Sequence, residues 1–232
     1  MEKIAYILFA SAVFALMSVN ASAQGESRQV SGFNAVESAG PFNVHIKLDG
    51  NESVKVDADA DVINDIETIV EDNTLRIRFK DREYRHHNIH KAEVYVEAKS
   101  LESLVNSGSG GIKVDGVISA GNFKATLSGS GNISTAVKSS GVHAVISGSG
   151  SIKLSGSAGD ANFVITGSGE IEGKDLKTNS VTAVITGSGN IYVEADKSVT
   201  AHITGSGNVI YSGNANEMNS RYTGSGRVTR DN

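Results

Sequence analysis

Short runs in which every second residue is apolar recur along the chain. Phe42, Val44, Ile46 and Leu48 alternate with polar residues in one run, Val54 and Val56 in a second, Leu75, Ile77 and Phe79 in a third, and Ala92, Val94 and Val96 in a fourth. The second half repeats the pattern at Phe123, Ala125, Leu127, at Val142, Ala144, Ile146, at Ala161, Phe163, Ile165, at Val181, Ala183, Ile185 and at Val199, Ala201, Ile203. A period of two puts successive side chains on opposite faces of a strand, so each run predicts a strand with one face inward. One segment departs: Val62, Ile63, Ile66, Ile69 and Val70 have helical spacing and predict a short helix, or a turn leading into a strand.

Each second-half run ends on the tetrapeptide Ser/Thr-Gly-Ser-Gly. The motif starts at Ser107, Ser128, Ser147, Thr166, Thr186, Thr204 and Thr223, at intervals of 18 to 21 residues. Five positions after each start stands Ile112, Ile133, Ile152, Ile171, Ile191, Val209 or Val228. A flexible Gly/Ser linker has no reason to keep a β-branched residue at one offset, so this is a structural repeat. In a solenoid the same position stacks on itself at every turn, which explains columns of like residues, whereas a hairpin meander pairs residues within a repeat and gives no such reason. The expected fold is all-β: a single-stranded parallel β-helix with rungs of about 19 residues, in which the Ile and Val positions form an inner ladder. The less regular stretch before it is expected to be an N-terminal β region that caps the first rung, since an open terminal rung exposes unpaired backbone groups. The predicted organisation is a signal peptide over 1–23, a cap over 24–106 continuous with the solenoid, and the β-helix over 107–232.

The glycines raise the question of a phosphate loop. A Walker-type loop needs Gly-Lys-Ser/Thr at a helix start, and no lysine follows these glycines. Calcium-binding β-rolls use Asp ligands on a nine-residue repeat, whereas here the residue after the motif varies from Asn to Glu to Arg. The motif is therefore read as a turn in which glycine supplies φ > 0, with Asn and Ser offering hydrogen bonds between rungs.

Composition changes the picture at two points. The apolar run Ile4 to Met17 after Lys3, followed by Ala21-Ser22-Ala23, has the form of a secretory signal and is too short to span a bilayer, so an exported protein without a membrane-spanning segment after cleavage is expected. There is no cysteine, so packing and backbone hydrogen bonds must supply the stability of an exported chain, and a net charge of −5 argues against a nucleic-acid partner.

Val30-Ser31-Gly32-Phe33, Gly40-Pro41-Phe42-Asn43-Val44, the turn Asp72-Asn73-Thr74-Leu75 and the repeated Gly-Ser-Gly-Asn-Ile together resemble the auto-transporter adhesin head family, named for its GIN domain, across essentially the whole chain after the signal. The resemblance implies a β-helical exported bacterial protein and adhesion as its function, and it transfers no catalytic residue. No segment is expected to form an outer-membrane translocator barrel.

Candidate chemistry is sparse. His86, His87 and His90 could offer imidazoles to Zn²⁺, Cu²⁺ or Ni²⁺, but no cysteine or well-spaced second pair supports a site; a solvated charged loop without metal or other cofactor is expected. Many β-helices are polysaccharide lyases or hydrolases, which makes a carbohydrate-active enzyme the alternative reading. Glu170, Glu172 and Asp175, like Glu194 and Asp196, are read as polar turns, so no enzyme is expected. If Val142, Ala144 and Ile146 point inward, then Val145, Val164 and Val184 share an outward column flanked by Thr126 and His202. Such an apolar strip predicts a surface for a protein or glycan ligand or for self-association.

Overall fold

The computed structural model describes residues 25–80 and 89–231. The expected signal over 1–23 lies outside them. The described residues form an all-β solenoid with rungs about 19 residues apart, built of sixteen strands and one 3₁₀ turn.

Five long strands carry the regular part: β9 (Gly111–Gly129), β10 (Asn132–Gly148), β11 (Ser151–Gly167), β12 (Glu170–Gly187) and β13 (Asn190–Gly205). Each pairs in parallel with the next along both of its halves. The first halves make one stack and the second halves another, so the chain alternates between two outer faces as it climbs. Register shifts after Ser134, Lys153 and Gly173 mark bulges between the halves. Strands β14 (Asn208–Ser212) and β16 (Arg227–Arg230) continue the first stack, and β15 (Glu217–Thr223) continues the second.

Ile112, Ile133, Ile152, Ile171, Ile191, Val209 and Val228 stand in one register. The first six are buried and Val228 is partly so. Burying an aliphatic side chain of this size contributes about 1.5–3 kcal/mol, so the column is a main source of stability. The last strands are less covered. Met218 and Tyr222 lie in register with the buried Val199 and Ile203 but remain 43% and 45% exposed.

In every motif after the first, the two glycines serve different ends. Gly148 has φ 134° and Gly167 has φ 123°, a region costly to any residue with a Cβ. Gly150 has no such φ, but a Cβ there would meet the Gly131 carbonyl oxygen and the Leu127 side chain. The turns stack so closely that each glycine carbonyl accepts from the rung above: Ser149 N–H donates to Gly129 at 3.0 Å and Ser168 N–H to Gly148 at 3.0 Å. One of the expected side-chain bonds between rungs is present, from Asn208 Nδ2 to Asn190 Oδ1 at 3.1 Å.

The N-terminal part threads differently. Strands β3 (Asn43–Leu48) and β7 (Ala92–Ala98) extend the first stack below β9 in parallel, in the order β7, β3, β9, so the ladder runs on through Val44 and Val94. Strands β2 (Ala35–Ala39), β6 (Thr74–Phe79) and β8 (Ser103–Asn106) extend the second stack, with β2 between the other two. Both stacks then close with antiparallel strands: β4 (Ser53–Ala58) and β1 (Glu26–Arg28) on the first, β5 (Ile66–Glu71) on the second. The helical spacing around residue 66 resolves into the alternative expected for it, a 3₁₀ turn over Ile63–Asp65 that leads into β5. Asp72 and Asn73, at φ 49° and 59°, make the tight turn between β5 and β6.

Candidate functional site

The second stack brings Val145, Val164 and Val184 side by side, each the direct strand neighbour of the next. Thr126 precedes them and His202 follows. Their inward neighbours Ala144, Phe163 and Ala183 are fully buried, while the valines themselves are only partly covered. Beside them runs a polar column of Lys124, His143, Asn162 and Thr182, which lines an open cavity of about 600 Å³ together with Asn122 and Asp160. This face thus pairs a three-rung apolar strip with a polar strip.

The first stack presents a different surface. Tyr95, His45, Lys113, Ser134, Lys153, Glu172 and Tyr192 occupy one outward column, each on a successive strand. Tyr95 is 44% exposed, and its ring stacks on His45 with centroids 5.2 Å apart and planes 20° apart. Glu93 fixes that imidazole at 2.6 Å from Nε2 and also accepts from Asn43 Nδ2 at 2.8 Å. Burial works to raise the Glu93 carboxyl; the bonds from Asn43 and His45, with the charges of His45 and Lys91, outweigh it and leave the group below the usual carboxylate range. His45, Tyr95, Lys113 and their neighbours line a cavity of about 610 Å³, and a second of about 210 Å³ adjoins it at Asn43, Asn132 and Ser134. A third, of about 310 Å³, lies farther along the same face against Lys153, Glu170, Glu172 and Tyr192. This aromatic and polar trough was not anticipated, because its residues come from strands far apart in sequence. An exposed tyrosine at the polar position of a strand, as at Tyr95, was the available signal.

Glu170, Glu172 and Asp175 lie within strand β12 and not in a turn, which corrects the expectation for them. Glu194 and Asp196 likewise fall within β13. Burial, and then the neighbouring Glu172 carboxyl, push Glu170 above the usual carboxylate range. Two residues apart on one strand, the two carboxyls point the same way. Lys153 Nζ sits 3.5 Å from Glu172, and Lys174 stands 5.1 Å over the Tyr192 ring while pairing with Asp231 at 2.8 Å.

His86 and His87 lie outside the described residues. His90 is exposed, and its backbone N–H donates to Asp59 Oδ2 at 2.7 Å. Among the described residues no three His, Cys, Asp or Glu side chains gather as a metal-binding group. No helix among them is long and apolar enough to cross a membrane.

Residues 32–229 match the family described as "Putative auto-transporter adhesin, head GIN domain". A comparison with curated proteins gives no match. Among solved structures, a putative adhesin from Bacteroides fragilis NCTC 9343 is similar at TM-score 0.83 and 22% identity, over 89% of this chain and 96% of that one. A putative lipid binding protein from Parabacteroides distasonis ATCC 8503 is similar at TM-score 0.72 and 22% identity, over 92% and 98%. A putative adhesin from Parabacteroides merdae ATCC 43184 is similar at TM-score 0.71 and 20% identity, over 92% and 98%. At these identities the likeness is one of fold.

Proposed function

We propose that this chain, which belongs to the auto-transporter adhesin head family, is an exported, non-enzymatic binding protein of the cell envelope or surface that engages its partners through its flat sheet faces. The observation that carries this reading is the strip of Val145, Val164 and Val184, an apolar column three rungs long set beside a polar one. Lone exposed valines are ordinary; a contiguous column on a rigid face offers an ordered surface to a protein partner or to a second copy.

The competing reading, a carbohydrate-active enzyme, is disfavoured by the arrangement of the carboxylates. Glycoside hydrolysis sets an acid and a nucleophile or base on opposite sides of the scissile bond, about 5–10 Å apart. Glu170 and Glu172 stand two residues apart on one strand of an open face rather than across a cleft.

Replacing Val164 by Lys tests the reading. The side chain is only partly covered, so the variant should fold like the parent and show weaker self-association in sedimentation, or weaker binding to intact cells or envelope fractions. A folded variant with unchanged assembly and unchanged binding would remove this strip as the interface. Fractionation, with protease applied to intact cells, tests the compartment.

A further inference from the structure

We infer that the face of the first stack binds a neutral, linear polysaccharide running along the stacking axis, with the Tyr95–His45 pair and Tyr192 as platforms for sugar rings. The inference rests on the reading of the protein as a binding module and names a ligand class for a face other than the valine strip.

Geometry is the first argument. Six strand steps separate Tyr95 from Tyr192 in one register, about 29 Å at the usual interstrand spacing. That length suits an oligosaccharide and far exceeds a single sugar. The three cavities along it share this face and open to solvent, so a long polymer can enter at any point without threading.

Chemistry is the second. The apolar C–H face of a sugar ring packs on an aromatic ring, and its hydroxyls require donors and acceptors around the rim. Tyr95 and His45 already present such an aromatic surface, oriented by Glu93. Asn43, Asn132 and Asn190 supply amide groups in the adjoining column, two and then three strand steps apart. Between His45 and Tyr192 the main column holds Lys113, Ser134, Lys153 and Glu172, with no apolar residue. A protein interface centres on a core depleted of charge, and this face has none.

Charge selects among polysaccharides. Over the two columns Lys113 and Lys153 face Glu93, Glu170 and Glu172, and Lys153 is already paired with Glu172. A face so close to balance has no surplus of lysines for a uronate polymer, so a neutral chain fits. The two platforms differ in access. Tyr95 is open, whereas Lys174, held by Asp231, stands over Tyr192 and must be displaced.

The test is native affinity electrophoresis of the full chain in gels containing galactomannan, xyloglucan or hydroxyethyl cellulose, with polygalacturonate as the anionic comparison. At least one neutral polymer should retard the protein and polygalacturonate should not. Tyr95→Ala should weaken the retardation about tenfold or more and Tyr192→Ala less, while Tyr95→Phe, which keeps the ring, should retain it. Both tyrosines face outward, so circular dichroism should show parent-like folds. Lack of retardation by all neutral polymers, a preference for polygalacturonate, or unchanged retardation in folded Tyr95→Ala overturns the inference. So does cell binding that depends on Tyr95 and is lost on treating the cells with protease but not with periodate, which assigns the face to a protein partner. If the parent binds cells and no polymer, this inference fails and the binding-module reading stands; if it binds neither cells nor polymers and does not self-associate, that reading fails as well.

Discussion

The regular rungs and the N-terminal region bury the same kind of alternating apolar face, yet they are held in register by opposite means. In β9 to β13 like meets like: isoleucine on isoleucine, glycine on glycine, each rung repeating the one below. In the N-terminal region unlike meets unlike. Arg78 pairs with Glu67 at 2.8 Å, Lys91 with Asp57 at 2.7 Å and Lys99 with Glu52 at 2.6 Å, each joining segments that no repeat relates. Arg28 goes further, donating from β1 on one stack to the carbonyls of Ile63 and Ile66 and to Thr68 Oγ1 around β5 on the other. A repeated sequence specifies its neighbour by being a copy of it; a strand that closes a stack needs particular partners.

The largest effect expected from this contrast is at Ile171. Replacing it by Asp buries an unpaired charge inside a packed column, at a cost of several kcal/mol, and should unfold or misassemble the coil in chemical denaturation. Ser168→Ala, three residues earlier at an exposed position, should change stability by less than about 0.5 kcal/mol. Equal, small effects from both would break the stacked-rung account.

A smaller and more local effect is expected of Arg28→Ala. Loss of its charged bonds to part-buried carbonyls should cost about 1–3 kcal/mol. Hydrogen exchange should rise in β5 while the amides around Ile152 and Ile171 stay protected. A uniform rise across both regions would mean that cap and rungs open as one unit.

The smallest change is expected on acidification. Asp59 is held below the usual carboxylate range by the His90 and then the Lys91 backbone N–H, and Glu93 is held low as well. A group with a lowered folded value contributes stability that is present above its unfolded value, about pH 4, and lost as pH falls through the folded one. Glu170, raised in the folded state, has the reverse sign: its penalty is present at neutral pH and relieved as pH falls through that raised value. On acidification the N-terminal amides should therefore lose protection before those of the rungs. The opposite order would overturn the assignment of stabilising carboxylates to the cap.

The repeats were the legible part. Seven motif copies with a fixed Ile or Val fix the period, the parallel register and the outward placement of Val145, Val164 and Val184. The N-terminal strands were legible as strands but not in their order. Val44 meets Ile112, 68 positions later, because after β4 the chain crosses to the other stack in β5 and β6 and returns through β7 and β8 before β9 begins. No local pattern encodes such an excursion. For the same reason the Tyr95–His45 stack was invisible: its two rings become neighbours only through the pairing of β3 with β7. Ser38 and Asn106 are a further case. They sit fully buried where later rungs carry Leu127 and Ile146, and Asn106 Nδ2 donates to the Gly110 carbonyl at 2.7 Å beside the first turn.

The rung-to-rung copying has a consequence for inheritance. Were residues 151–169 lost as one block, Gly150 would be followed by Glu170, Ile133 would meet Ile171 and Ile146 would meet Ile185, the same kinds of contact as before. A gain or loss of one whole repeat would thus keep the frame of the fold. Lineages can therefore lengthen or shorten this protein in steps of about 4.8 Å without redesigning either end. The length of the solenoid is then open to selection as a count of rungs, independent of the surfaces that those rungs present.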